Sequence, residues 1–94
     1  MTITLTVFLT SGGAPESGLS PTIKIKNITD DVVDVAAGAM TDKGDGFYSY
    51  AFAAFDSSKL YTVLVDGGPT LADPERYVSM TVPSVQVDNN GGIV

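Results

Sequence analysis

A strict alternation of side chains from Thr2 to Thr10 constrains this chain more than any other feature of its sequence. Ile3, Leu5, Val7 and Leu9 occupy every second position, and mostly threonine fills the positions between them. Side chains of a β-strand point alternately to its two faces, so a period of two is typical of a strand with one buried face. The sequence therefore predicts a half-buried strand over residues 2–10.

Further segments have the composition of short strands, and turn-forming residues separate them. These predicted strands are Thr22–Ile28, Val32–Val35, Phe47–Ala54, Leu60–Val65 and Tyr77–Val82. Near-continuous apolarity marks the fourth of them as a central strand. Loops or turns are predicted at 11–18, 27–31 and 41–46, and one helical turn around 73–76. Residues 36–39 suit either a turn or the end of a strand.

This spacing of short strands predicts an all-β fold, a single antiparallel β-sandwich of six to seven strands. The expected core consists of inward-facing apolar and aromatic residues: Ile3, Leu5, Val7, Leu9, Ile23, Ile25, Tyr48, Tyr50, Phe52, Tyr61, Val63 and Val65. Lys24 and Lys26 alternate with this set and are expected on an outer face. Residues 1–83 form the predicted sandwich domain, and residues 84–94 are predicted to be an extended or flexible C-terminal segment.

The composition excludes several classes of function. The chain has 94 residues, no Cys and no His, which excludes disulfides, thiolate chemistry and imidazole catalysis. A net charge of −6 disfavours binding to nucleic acid or to an anionic membrane. We therefore expect no enzymatic activity, no catalytic, cofactor-binding or metal-binding residues, no cofactor and no small-molecule substrate.

The beginning of the chain has no recognisable targeting signal. Residues 1–8 lack both a basic region and a continuous apolar run, and no stretch approaches the roughly 18 apolar residues of a spanning helix. Because a strand follows Met1 at once, we expect synthesis and folding in a cytoplasm. A domain trimmed from a secreted protein would have the same appearance.

Three Asp-rich segments are candidate cation sites, because clustered loop carboxylates are the ligands that calcium prefers. They are Asp30–Asp34, Asp42–Gly46 and Asp88–Gly91. None matches the spacing of an EF-hand loop. Turn formation and solubility are the favoured interpretation, and a weak divalent-cation site is the alternative.

Three aromatic residues have a second interpretation besides core packing. Phe8 and Phe47 fall on the polar side of their strands, so one of them is expected in an exposed apolar patch. Tyr61 follows the turn Asp56–Lys59 at the entry to a strand. That position suits a tyrosine corner, in which the hydroxyl group bonds back to the preceding loop.

Both ends of the chain are candidates for strand addition to a neighbouring subunit. The strand at residues 2–10 has no preceding element to cover it. The segment after Pro83 carries Val85, Val87, Ile93 and Val94 among Asn and Gly, too few apolar groups to fold alone. A disordered C-terminus is the competing interpretation.

Three stretches give the chain a family resemblance: Leu19–Ile28, Met40–Phe52 and Phe55–Gly68. In the second, Gly-Asp-Gly-Phe-Tyr opens a strand after a turn. The chain resembles small immunoglobulin-like or transthyretin-like β-sandwich modules of tailed-bacteriophage virions over about residues 19–80. The resemblance implies a non-enzymatic structural role, as a decoration protein or a tail or fibre accessory.

The resemblance also implies partners and a location. The partners would be further copies of the chain, forming a homo-oligomer, or a capsid or tail protein, and the location would be the virion. Two alternatives remain open. One is a surface adhesion module that binds glycan or a divalent cation, and the other is an accessory domain of a larger secreted protein.

Overall fold

The computed structural model describes residues 1–82, so the predicted C-terminal segment lies outside the described residues. Alternating and β-branched segments form strands, as predicted. The elements are β1 (Ile3–Phe8), β2 (Thr10–Ser11), β3 (Ala14–Pro15), β4 (Thr22–Asn27), β5 (Val32–Ala39), β6 (Thr41–Gly44), β7 (Phe47–Phe52), β8 (Tyr61–Asp66), α1 (Asp73–Arg76) and β9 (Tyr77–Val82).

Two antiparallel sheets enclose the core. Sheet I has the strand order β1-β7-β6, and sheet II has the order β5-β4-β8-β9. A small hairpin of β2 and β3 lies outside both sheets. Because side chains alternate along each strand, the inner faces of both sheets supply the buried cluster, including Leu5, Tyr48, Ile25 and Val63. The predicted all-β antiparallel sandwich is confirmed, and β8 is a central strand.

The order of the strands is that of an immunoglobulin-like sandwich. Sheet I corresponds to strands B, E and D of that fold, and sheet II corresponds to C′, C, F and G. Strand A of an immunoglobulin domain would pair with β1, and residues 1–82 supply no strand at that position. β1 is therefore an edge strand within the described part of the chain.

The two sheets of residues 1–82 contain seven strands, within the predicted six to seven. Two predicted turns nevertheless contain strands, and the β2–β3 hairpin adds two further strands of two residues each. In the segment predicted as a turn at 41–46, Thr41–Gly44 forms β6 and only Asp45–Gly46 turns. The Asp42 carboxylate accepts N–H bonds from Gly18 and Gly44, which ties β6 to the loop before β4.

The loop predicted at 11–18 contains the β2–β3 hairpin, which turns at two glycines of positive φ, Gly12 and Gly13. The strand predicted at Val32–Val35 continues to Ala39, because β4 supplies pairing partners as far as Thr22. A Cβ atom at Gly38 would lie 2.6 Å from the ring of Tyr50, so a larger residue there would displace that ring.

Ten of the twelve predicted core residues are buried, and the other two, Ile3 and Tyr50, are half-buried against the core. Ile3 begins the edge strand β1, and Tyr50 lies beside Gly38 of edge strand β5. Both side chains therefore meet solvent at the margins of the sandwich. The core also includes Met40 and Phe55, which connect or follow strands.

Candidate interaction surface

The turn between β6 and β7 places an aromatic residue on the outside of sheet I. Asp45 and Gly46 both adopt positive φ, and the N–H of Leu9 donates to the carbonyl of Gly46 at 2.8 Å. This bond fixes the register in which Phe8 lies directly opposite Phe47. A Cβ atom at Gly46 would lie 2.8 Å from the Leu9 carbonyl, so the turn requires glycine for two reasons.

Phe8 and Phe47 form an exposed aromatic pair. Their ring centroids are 5.1 Å apart with the rings tilted by 45°. Phe8 is 46% exposed and Phe47 is 52% exposed, so both rings meet solvent although they contact each other. The prediction of an exposed apolar patch is confirmed, and both residues belong to it. An exposed apolar patch of this kind is a candidate contact site.

Around this pair, the outward side chains of β1 and β7 carry no charge. They are threonine, serine or alanine, and with the two phenylalanines and Thr41 of β6 they form one set: Thr4, Thr6, Phe8, Thr41, Phe47, Ser49 and Ala51. We call this set the uncharged face. The three strands of sheet I carry two charged residues, Asp42 and Lys43, both on β6 and hence on the strand farthest from β1.

The outer face of sheet II is charged by contrast. Lys24 is exposed, and Lys26 pairs with Asp31 at 2.9 Å. Asp66 accepts two bonds from the Arg76 guanidinium, at 2.8 and 3.1 Å. These bonds hold the pKa of the Asp66 carboxyl below its usual value, and a weaker effect in the same direction comes from the N–H of Gly68. On this face, charged groups lie opposite the exposed apolar residues Leu64 and Tyr77.

The free edge of β1 exposes regularly spaced main-chain groups. The N–H of Leu9 points to β7, where it meets Gly46. Main-chain groups alternate in direction along an antiparallel strand, so those of Val7 and Leu5 also point to β7. The N–H and C=O groups of Thr4, Thr6 and Phe8 consequently point away from β7, to the edge that no strand of residues 1–82 covers.

Glu75 of α1 fixes the chain just beyond β1. Its carboxylate accepts from the Thr10 hydroxyl at 2.6 Å and from the N–H groups of Gly13 and Gly12 at 3.0 and 2.9 Å. The bond from Thr10 lowers the pKa of Glu75 most, and the bonds from Gly13 and Gly12 lower it further. The helical turn was predicted at this place, but the composition gave no sign of this contact, because its partners lie more than 60 residues away.

Two buried tyrosine hydroxyls anchor loops. The hydroxyl of Tyr61 accepts from the N–H of Asp56 at 2.9 Å and makes a longer contact of 3.5 Å with the Ala54 carbonyl. The predicted tyrosine corner is therefore confirmed. In sheet I, Tyr48 donates to the Glu16 carbonyl at 2.8 Å and accepts from the Leu19 N–H at 3.2 Å. The sequence pattern predicted only a core position for Tyr48.

Other side chains and main-chain amides bind three of the five carboxylates in the first two Asp-rich segments. Asp31 bonds to Lys26, Asp30 to Lys59 and Asn27, and Asp42 to Gly18 and Gly44. The Lys26 ammonium lowers the pKa of Asp31, and the two amides lower that of Asp42. Residues 1–82 bring no three acidic side chains together as a metal site. The third segment, Asp88–Gly91, lies outside the described residues.

The described part of the chain encloses no pocket, and none of its helices is long and apolar enough to cross a membrane. Comparisons with protein-family models, curated proteins and solved structures found no match. The resemblance to phage modules therefore stays a prediction. The candidate site is a surface, formed by the uncharged face and the adjoining edge of β1.

Proposed function

We propose that this protein is a non-enzymatic interaction module that binds a neighbouring protein subunit through sheet I. The observation that carries the proposal is the exposed Phe8–Phe47 pair, set among uncharged outward side chains of β1 and β7. Charged residues are depleted and aromatic residues enriched at the centres of protein interfaces. The uncharged face has this composition, whereas the outer face of sheet II does not.

The sandwich suits such a role because its surface is held rigidly. The β6–β7 turn fixes Phe47 opposite Phe8, and Glu75 fixes the chain after β1. A surface fixed before binding loses little conformational entropy when a partner covers it. The module would present its face without rearrangement, and binding would order few additional side chains.

The resemblance extends the proposal to a virion. The stretches Leu19–Ile28, Met40–Phe52 and Phe55–Gly68 support a decoration or accessory protein whose partner is a capsid or tail protein. The face itself supports a protein partner of any kind. The two parts of the proposal therefore have separate tests.

The test is site-specific photo-crosslinking in the organism that produces the chain. The photoreactive residue p-benzoylphenylalanine replaces Phe47 in one variant and Tyr77 in the other. Both positions are aromatic and about half exposed, at 52% and 50%, but Tyr77 lies in sheet II. We expect discrete protein adducts from position 47 and none from position 77.

Equal adducts from both positions, or adducts from position 77 alone, would contradict the proposed surface. Identification of the partner tests the second part. A capsid or tail protein recovered with particles supports the virion role, and any other partner shows that role to be wrong while the interaction role stands.

A further inference from the structure

We propose that two copies of this chain pair through β1, antiparallel and across a two-fold axis, to form one continuous six-stranded sheet from two copies of sheet I. The inference deepens the proposed function, on which it rests, by naming a second copy as one partner. The proposed dimer forms through the edge of sheet I, whereas the Phe8–Phe47 pair lies on the outer face of that sheet.

The edge of β1 has the hydrogen-bonding geometry that a further strand requires. The main-chain N–H and C=O groups of Thr4, Thr6 and Phe8 point to this edge, because the Leu9–Gly46 bond fixes the direction of the main-chain groups along β1. β1 pairs with β7 in an unbroken register from Ile3 to Phe8, without a bulge that would twist the edge away. A regular, unprotected edge strand of this kind is a template for pairing with another chain.

The other edges of the two sheets are less suitable. β5 carries Asp34 and pairs with β4 through shifts in register, and β6 is short, charged and also irregular. β9 is regular, but Pro83 follows it directly. Because proline has no N–H group, it limits the length over which β9 could pair. β1 is the edge that lacks these three kinds of protection.

The sequence of β1 favours a second copy over an unrelated strand, because it is symmetric about Leu5 in the type of its side chains. Thr4 and Thr6 flank the centre, and Ile3 and Val7 follow on either side. In an antiparallel pair centred on Leu5, threonine meets threonine on the outer face and apolar residues meet on the inner face. Cross-strand pairs of matched types stabilise antiparallel sheets.

In this register the main-chain groups match as well. Thr4 of one copy lies opposite Thr6 of the other, and each such pair can exchange two N–H to C=O bonds. Leu5 lies opposite Leu5 of the second copy, at the axis. The half-buried Ile3 gains a covering neighbour there, because it lies opposite Val7 of the second copy.

Electrostatics permit this approach in spite of the net charge of −6. Two identical subunits place like charges near each other at a two-fold axis, which opposes association wherever the surface is charged. β1 and β7 carry no charged residue, and the charges of sheet I lie on β6, on the far side of β7. Repulsion between the copies is therefore weakest at the edge of β1.

The experiment measures the mass of the full chain by sedimentation equilibrium over a wide range of concentration. The test variant is Thr4→Lys/Thr6→Lys, which adds charge to the edge of β1 at exposed positions. The matched control is Ser79→Lys/Thr81→Lys, which makes the same change at exposed positions on the edge of β9. A third variant, Val85→Lys/Val87→Lys, tests whether the C-terminal segment is the strand that binds β1. Thermal unfolding verifies that each variant is folded.

We expect the wild type to reach twice its mass of 9.8 kDa, the β1 variant to remain monomeric, and the other two variants to associate like the wild type. A wild type that is monomeric at every concentration overturns the inference, as does a β1 variant that still dimerises. A monomeric C-terminal variant overturns it in favour of exchange of that segment. If dimerisation fails while position 47 still crosslinks to a partner, the proposed function stands without this inference.

Discussion

The two sheets differ most on their outer faces, although they share one core. Sheet II carries Lys24, Lys26 and Asp66 among its outward residues, and ion pairs hold two of these three. The outward residues of β1 and β7 in sheet I are threonine, serine, alanine and the Phe8–Phe47 pair. The same alternation therefore produces two different surfaces, one that carries charged side chains and one on which β1 and β7 carry none.

The edge strands of the two sheets also differ in how well they are protected. Charge and irregular pairing protect the adjacent edges β5 and β6, which the single residue Met40 joins. The edge of β1, at the other side of sheet I, has neither form of protection. The uncharged face and the unprotected edge of β1 therefore adjoin each other on sheet I. The following predictions test how far the contrast between the sheets extends.

The largest effect is expected where the two sheets meet. Val63 is completely buried, whereas its neighbour Leu64 is 40% exposed on the outer face of sheet II. Val63→Asp would bury an unpaired charge, at a cost above about 4 kcal/mol, and should prevent folding. Leu64→Asp adds one more charge to a charged face, opposite Lys24, and should change stability by less than about 0.5 kcal/mol.

Urea denaturation of both purified variants is the measurement for this pair. If Val63→Asp folds with a midpoint near that of the wild type, the assignment of the shared core is wrong.

The next effect concerns the turn that positions Phe47. Gly46 and Gly44 both have a φ of 86°, but only Gly46 is close to other atoms. Gly44→Ala should cost about 1–2 kcal/mol, for positive φ alone. Gly46→Ala adds a clash with the Leu9 carbonyl and should cost more. Denaturation midpoints compare the two variants, and equal losses would contradict the close contact at Gly46.

The two buried hydroxyls allow a smaller comparison between the sheets. Tyr48 of sheet I makes bonds of 2.8 and 3.2 Å, whereas Tyr61 of sheet II makes one of 2.9 Å and a contact of 3.5 Å. Tyr61→Phe should therefore cost about 1 kcal/mol, and Tyr48→Phe about 2 kcal/mol, because it deprives two main-chain groups of a partner. Chemical denaturation measures both losses. An unchanged midpoint in Tyr61→Phe would show that Tyr61 stabilises the fold through core packing alone.

The smallest expected effect depends on pH. The pKa of Glu75 is lowered in the folded state, so its stabilising contribution is complete above the ordinary value of 4.5 and is lost as pH falls through the folded value. Glu75→Gln should thus be less stable than the wild type near neutral pH, and the difference should narrow in acid. Denaturation at several pH values measures it, with Asp73→Asn on the same helical turn as the control. A difference that does not depend on pH would contradict the assigned role of the carboxylate.

Sequence patterns were sufficient where a single strand determines its own structure. The alternation of residues 2–10 predicted β1 and its buried face, and the apolar run at Leu60–Val65 predicted a central strand. The position of Tyr61 after a turn predicted its corner. These features depend on neighbours in the sequence, so the sequence displays them directly.

Features that depend on distant partners were missed. The segment at 36–39 is a strand because β4 offers it main-chain partners, and its own Ala-Ala-Gly-Ala composition leaves this undecided. β6 forms where Asp42 binds Gly18, 24 residues away. For the same reason, the sequence predicted that one of Phe8 and Phe47 is exposed, but their contact depended on the register between β1 and β7.

Amide hydrogen exchange at the two regular edges tests the central claim most directly, namely that the β1 side of sheet I is the surface of association. The N–H groups of Thr4 and Thr6 point to the edge of β1. Those of Ser79 and Thr81 point to the edge of β9, because the Gly67–Arg76 bond fixes the direction in that strand. The account predicts that protection of Thr4 and Thr6 rises with protein concentration while Ser79 and Thr81 do not change. Protection that rises at Ser79 and Thr81 instead, or at neither edge, would contradict it.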